Sequence, residues 1–510
     1  MLESVVQIIF RSTFAALCCF AWAVGDPSVA RAAALVEPPV VRSQDGVAQL
    51  TLTAVENPTT ELPAFSFNGK LVPPTIRVNP GDHIKIHYVN RLPVPVHQPF
   101  TNMTNLHFHG MKTSPTEPGD DVIDIMVMPG QSYDYDVYVP KDESPGLYWY
   151  HPHAHGESNR QLSGGMSGLI IVNGLEKYYP QVAHVPEQIL ILRDSYPKGE
   201  PVPTIRQAAG AVRGKAVHVA LAPICHGPGS ENLTLNEADR PSIAIRPGET
   251  QFWRFANASA NTFVDLQVTG ASLAVIARDG EPIVYRDGPQ GTGVVYNDYL
   301  VPPAGRVEFF ITGPNAAHAT LLSRCVNTGP AGDIMPERAL AEIDPSQSGG
   351  FPLELGPANL QPTRKPPVDI RALPIASKKT IVFTEDKPDG RFYINGQLYD
   401  PNKPAEYFAK AGTVEEWTVV NKTDELHAFH IHQIHFLLVD ATKNGQKLPE
   451  DYRDTITVPF QTYGPNNVPI PGKVTLLMDF TDPIIKGTFV FHCHILEHED
   501  GGMMQKITVR

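Results

Sequence analysis

The sequence predicts an all-β protein built from three related β-sandwich domains. Three observations predict it. The 510 residues include 49 prolines and 40 glycines, spread so that they punctuate many short segments. Apolar residues alternate in short runs such as Ile84, Ile86 and Tyr88, the period of a half-buried strand. One unit recurs three times: "FNGKLVPPTIRVNPGDHIKIHYVN" at 67–90, "LNEADRPSIAIRPGETQFWRFAN" at 235–257 and "INGQLYDPNKPAEYFAKAGTVEEWTVVN" at 394–421. Each copy reaches a turn glycine (Gly81, Gly248, Gly412), runs through an alternating strand, and ends on an asparagine (Asn90, Asn257, Asn421) nine residues later.

The elements follow in order. Residues 1–32 hold an apolar run, "TFAALCCFAWAV", then a turn and the small-x-small sequence "ARA" at 30–32. That pattern predicts a signal peptide cleaved after Ala32, and so an exported, periplasmic or secreted protein. The run is short for a membrane span, so no span is expected to remain after cleavage. Domain one is expected at 33–175, domain two at 176–330 and domain three at 370–510. The stretch 331–369 is rich in Pro and Gly without clear periodicity and reads as a linker.

Composition narrows the function. With 42% hydrophobic and 19% charged residues the chain can bury a sizeable core. A net charge of −13 argues against nucleic acid or an anionic membrane as partner, since both need a basic face. Of five cysteines, Cys18 and Cys19 leave with the signal peptide. Cys225 and Cys325 could pair in an oxidising compartment, though sequence alone leaves the pairing open. No sequence feature fixes an oligomeric state.

Cys493 has different company. The chain has 19 histidines, and four local clusters stand out: "LHFHG" at 106–110, "WYHPHAHG" at 149–156, "HAFHIH" at 427–432 and "HCHILEH" at 492–498. Two lie in the first domain and two in the third, and each holds a His-x-His pair. Residues two apart on a strand face the same way, so each pair can aim both imidazoles at one spot. Imidazole suits copper, zinc, iron or nickel. Four pairs split between the outer domains predict a metal cluster clamped between domains one and three, with the middle domain as spacer.

Cys493 alternates with His492 and His494, so its sulfur faces the opposite side and one strand touches two sites. On the sulfur side His498 lies five residues on and Met503 five further, while His427 opens the other third-domain cluster. Two imidazoles, one thiolate and a weak thioether make a blue-copper electron-transfer site; zinc would not ask for the methionine. Spacing favours Met503 over Met504 as the axial group.

At this point the chain resembles the multicopper oxidase family, in its three-domain laccase-like group. The resemblance covers essentially the whole mature chain, and all four copper motifs match. It implies three cupredoxin-like Greek-key β-sandwich domains and four copper ions: one type 1, one type 2 and two type 3. It assigns His427, Cys493 and His498 to the type 1 copper, with Met503 axial. It gives His107 and His430 to the type 2 copper. One type 3 copper takes His109, His151 and His494; the other takes His153, His432 and His492. It also links Glu499, and Asp120 or Asp121, to proton delivery.

The implied activity is a copper-dependent oxidoreductase with O2 as acceptor. Four one-electron oxidations of a small reducing substrate, passed through Cys493, would reduce O2 to two waters. With only 10 methionines, and Met335 alone in the 331–369 stretch, there is no methionine-rich insert to gather Cu(I). The reading therefore leans to phenols or aromatic amines, with Cu(I), Mn(II) or Fe(II) as the alternative. A more distant alternative is a non-catalytic structural or copper-carrying protein, which intact ligands argue against. His155 and His435 neighbour the ligand motifs but break their spacing, and are expected to pack or to support.

Overall fold

Each repeat is folded around its turn glycine and its terminal asparagine. Gly81, Gly248 and Gly412 take φ of +98°, +76° and +82°, a left-handed conformation that glycine adopts without a Cβ penalty. The strands that follow, His83–Asn90, Thr250–Asn257 and Thr413–Asn421, each pair in parallel with an earlier strand. The partners are Val47–Glu56, Glu187–Ser195 and Ile375–Asp386. The three long-range copies are thus one structural unit used three times.

These observations come from a computed structural model, which describes residues 32–95, 100–195, 225, 229, 231–284, 294–316, 318–346, 362–363, 369–386, 389–443, 446–447 and 450–510. The expected signal peptide lies outside the described residues except for Ala32. Among the described residues no helix is long and apolar enough to cross a membrane.

Each repeat belongs to a pair of facing sheets. In the first pair a four-stranded sheet around Val47–Glu56 faces a five-stranded sheet that ends in Gly146–His151 and His107–His109. The second pair sets the sheet around Thr250–Asn257 against one containing Val264–Val268 and Ala319–Arg324. In the third, a six-stranded sheet faces a five-stranded one that carries His427–Ile431 and Gly487–Cys493. Inward-facing residues of each pair form one apolar core: Leu52, Ile86 and Phe108 in the first, Trp253, Phe309 and Leu321 in the second, Trp417, Phe429 and Phe491 in the third. The metal motifs therefore begin on packed sheets, which hold side chains more rigidly than loops do, while His153, His432 and His494 lie just past the ends of their strands.

The terminal asparagines explain why the repeat ends as it does. Asn90, Asn257 and Asn421 are buried, and each side-chain oxygen accepts from the backbone N–H two residues on. Each amide then donates across the following loop: Asn90 to the carbonyls of Asn102 and Val127, Asn257 to those of Thr262, Val301 and Pro302, Asn421 to that of Glu425. In domains one and three this latch fixes the loop that delivers the first histidine pair.

One expectation needs revision. The stretch 331–369 is not all linker: Arg338–Asp344 is a strand that pairs with Ala319–Arg324 and Ser242–Ala244. The middle sandwich therefore runs past residue 330; Leu340, Ala341 and Ile343 belong to its core, an alternation masked by the surrounding Pro and Gly. The question left open for the cysteines is closed by the structure. Cys225 and Cys325 form a disulfide across 100 residues of sequence, and Cys493 is a buried free thiol.

Candidate metal centres

The His-x-His strands meet edge to edge within their sheets. His107 sits opposite His151 in the first sandwich, and His430 opposite His492 in the third. The two sandwiches then bring these pairs face to face. His107 stacks on His432 at 3.7 Å between ring centroids, and His109 on His430 at 3.8 Å. His151 and His494 close one side, with rings 5.4 Å apart, and His153 and His492 the other, at 4.9 Å. All eight imidazoles are buried.

Their hydrogen bonds fix which ring nitrogen faces inward. His107 Nδ1 lies 2.9 Å from Asp120 Oδ2, and His430 Nδ1 lies 2.8 Å from the Asp454 carbonyl oxygen. In each case that nitrogen carries the proton, leaving Nε2 as a lone pair. Both Nε2 atoms are buried without a hydrogen-bond partner. His151 donates through Nδ1 to the Pro152 carbonyl, and His492 to that of Cys493. Their Nε2 lone pairs then point at other ring nitrogens: His151 Nε2 is 3.4 Å from His109 Nδ1, and His492 Nε2 is 3.1 Å from His153 Nε2 and 3.2 Å from His432 Nε2.

Burial pushes the pKa of His107, His109, His153, His430, His432 and His494 well below the ordinary value, and the neighbouring imidazoles push the same way. For His151 and His492 burial lowers it to about 3. Neutral, buried ring nitrogens converging on one another form a set of donors that could hold a cation. His153, His432 and His492 meet at one such spot; His107, His109 and His151, and His107, His430 and His432, meet at others. The donor set fits metal ions that favour imidazole.

Carboxylates stand behind the rings. Asp120 accepts from His107 Nδ1, from the Phe108 N–H and from Gln433 Nε2 at 2.6 Å. Burial raises its pKa well above the carboxylate range, against the pull of the Phe108 N–H. Gln433 holds φ at +58°, a strained value for a non-glycine residue, at this contact. Asp121 instead caps its own loop, accepting from the N–H groups of Ile123 and Asp124. Glu499 Oε2 lies 3.2 Å from His492 Nδ1 and 3.6 Å from His153 Nε2. Its burial, reinforced by Asp500, raises its pKa well above the usual range.

On the other side of the same strand the sulfur finds its own partners. His427 Nδ1 is 3.4 Å and His498 Nδ1 3.7 Å from Cys493 Sγ, and the two nitrogens are 3.1 Å apart. Thr423 Oγ1 lies 2.9 Å from His427 Nε2. Phe392 stacks flat on His498 at 4.0 Å. Met503 is fully buried, its carbonyl accepting from the Cys493 N–H and its N–H donating to the His498 carbonyl. Burial pushes the Cys493 thiol up to about 12, so a cation must be bound to hold it as thiolate.

Other described histidines lie elsewhere. His155 packs against Tyr399, and His435 Nε2 donates to the Asp279 carbonyl. His83 and His87 pair with Asp136 and Asp134 on the outer face of the first sandwich. Sequence reasoning missed Asp454, which touches His109, His430 and Arg306, and missed Glu425, whose Oε1 is 3.4 Å from His498 Nε2. Neither lies in a histidine motif that would have marked it.

One mononuclear-sized spot and a larger histidine nest, joined by one Cys-containing strand, are donor sets that fit metal ions in more than one place. Family models described as multicopper oxidase match residues 44–177, 186–318 and 372–510, and the chain belongs to the multicopper oxidase family. It is a copper oxidoreductase on that ground. Its relatives are diverse. A laccase from Bacillus stratosphericus is 24% identical over 489 residues, covering 89% of this chain and 91% of the laccase. The cell division protein FtsP of Escherichia coli is 25% identical over 474 residues, covering 89% and 86%. A multicopper oxidase from Campylobacter jejuni, described as a metallo-oxidase, superposes with a TM-score of 0.72 at 23% identity, covering 94% and 95%. The shared fold is that of cupredoxin-like domains.

Proposed function

We propose that this chain takes single electrons from a small reductant beside His498 and reduces O2 to water at the eight-histidine nest. The carrying observation is Cys493: its sulfur contacts His427 and His498, while its sequence neighbours His492 and His494 stand in the nest. A one-residue covalent path therefore joins the two sites.

In this reading His427, Cys493, His498 and Met503 would hold a type 1 copper. His107 and His430 hold the type 2 copper. His109, His151 and His494, and His153, His432 and His492, hold the type 3 pair. Copper bound in these places would supply one-electron oxidation at the first site and four-electron reduction of O2 at the second. The protein's part is positional. Asp120 keeps the proton on His107 Nδ1 and the lone pair on Nε2. Glu499 holds a proton on its buried carboxyl within reach of His153 and His492, and serves as a proton donor. Burial of all eight imidazoles shields the nest from bulk solvent.

The reductant is proposed to be a phenol or aromatic amine. Glu425 beside His498 Nε2 is placed to accept the proton that a phenol loses with its electron. One observation favours the second reading, a metal cation. Glu231 is buried, and Asp194, Asp333 and Glu497 add to burial in raising its pKa to about 9, so this group of carboxyls would favour a cation among them. A non-catalytic role is disfavoured by the intact set of donors.

Oxygen uptake by the copper-loaded protein decides among these, with a methoxyphenol and Cu(I) offered separately and Cys493→Ser as control. Uptake with the phenol alone supports the first reading, and uptake with Cu(I) alone supports the second. No uptake with either, from protein carrying its full copper, would sink both. Export is part of the proposal, supported by the Cys225–Cys325 disulfide, which forms in oxidising compartments. N-terminal sequencing of the exported protein tests it, with an intact Met1 as the contrary result.

A further inference from the structure

We propose that Arg306, a residue of the middle sandwich, is a positioning residue of the eight-histidine nest, acting through Asp454. The inference rests on the copper reading above. It goes beyond it by giving the middle domain a part in the oxygen-reducing site.

Arg306 begins the strand Arg306–Thr312 and is buried at the junction of all three sandwiches. Its donors are committed in different directions. Nε–H donates to the Leu147 carbonyl of the first domain, and Nη1–H to the Ala304 carbonyl of its own. Nη1 also lies 2.8 Å from Asp454 Oδ1 of the third domain, and Nη2 donates to Asp454 Oδ2. A planar guanidinium held at so many points has one orientation, and its paired contact gives the Asp454 carboxylate one orientation too.

Asp454 passes that orientation on to both rings of a stacked pair. Its Oδ1 lies 3.1 Å from His109 Nε2, and its backbone carbonyl accepts from His430 Nδ1 at 2.8 Å. Asp454 Oδ1 also accepts from Thr455 Oγ1 at 2.7 Å. With its proton on Nε2, His109 must present Nδ1 to the nest, whereas His430 presents Nε2. One residue thus sets opposite ring nitrogens on two stacked imidazoles. Outer partners of this kind fix the tautomer and direction of metal-ligating histidines.

The residue after His109 fits the same device. Gly110 has φ of +86°, and a Cβ there would stand 2.4 Å from Arg306 Nη2 and 2.5 Å from Asp454 Oδ2. The turn leaving the first histidine pair is therefore moulded around the Arg306–Asp454 pair. The expected spacer domain supplies an anchor as well as distance.

The test uses the full-length, copper-loaded protein and the variants Arg306→Lys and Asp454→Asn. Lysine keeps the charge and loses the fork; asparagine keeps the size and loses the charge. Three readouts are taken: copper per chain, the visible absorption of the Cys493 site, and the paramagnetic resonance signal of the nest. Both variants should keep the visible band. Both should change the resonance signal and bind copper in the nest about 10- to 100-fold more weakly. A lower melting temperature with the resonance signal and copper count unchanged would make Arg306 merely structural and overturn the proposal. A change in Arg306→Lys alone would overturn the route through Asp454. If Arg306→Lys does not fold, Asp454→Asn decides by the same readouts. If the unsubstituted protein binds no copper, the copper reading itself has failed.

Discussion

His107 lies flat against His432, with ring centroids 3.7 Å apart and planes 13° from parallel. One ring belongs to the first sandwich and the other to the third. Neutral lone pairs crowd around this stack, so it is a place where the bare protein pulls apart and the metal-loaded protein holds together. Stripping copper with a chelator should lower the melting temperature. Metal at a hundred times its dissociation constant contributes about 2.7 kcal/mol by mass action. For a chain of this size that is a shift of a few degrees, visible by calorimetry. Equal midpoints with and without copper would show that no metal bridges the sandwiches.

Cys493→Ser should remove the visible charge-transfer band and bring oxygen uptake to background. Serine keeps the packing at this buried position but offers no thiolate. The resonance signal of the nest should persist, because His492 and His494 face away from the sulfur. Retained uptake would mean that electrons enter by another route.

Asp120→Asn should slow turnover by roughly 10- to 100-fold while the visible band stays. Asn presents a single acceptor oxygen where Asp120 meets three donors, from His107, Phe108 and Gln433. Asp121→Asn serves as the control, since Asp121 only caps its loop. Steady-state kinetics on both variants decide, and equal effects would remove Asp120 from its special place.

Glu425→Gln should lower kcat/KM for a phenol by about a hundredfold, the contribution of a positioned base. A phenol ether, which has no proton to give, should be oxidised equally well by both proteins. A matched loss for both donors would point to a purely electrostatic role.

Glu231 gives a pH prediction. Burial first, then Asp194, Asp333 and Glu497, raises its pKa from 4.5 to about 9. Between those values the folded chain keeps a proton that the unfolded chain has lost. Its contribution to stability is therefore full below pH 4.5 and fades as pH rises toward 9. Glu231→Gln should flatten the fall in melting temperature from pH 5 to 9. Parallel profiles for the two proteins would place the slope in other groups.

The repeats and the metal motifs were legible because both depend on short-range periodicity. Gly81 to Asn90 is a turn and a strand, and His107 with His109 is a strand pair; each can be read within ten residues. The strand Arg338–Asp344 was not legible, because its alternation is brief and its flanks carry the Pro and Gly of a connector. Asp454 and Arg306 were not legible either. They lie 148 residues apart, in different domains, and nothing near either one marks a metal site.

The sequence by itself determined the three-fold repeat, the four His-x-His pairs and the single strand that carries Cys493 between two sites. These follow from the two-residue period of a strand, which needs no tertiary information. Only the tertiary structure decided which imidazoles stack, which ring nitrogen each turns inward, that Asp120 and not Asp121 meets His107, and that Arg306 pairs with Asp454. Those depend on how three sandwiches close on one another. Hydrogen-bond direction is set by partners outside the motif, from Asp120 near His107 to Asp454 in another domain from His109, and local periodicity carries no record of them.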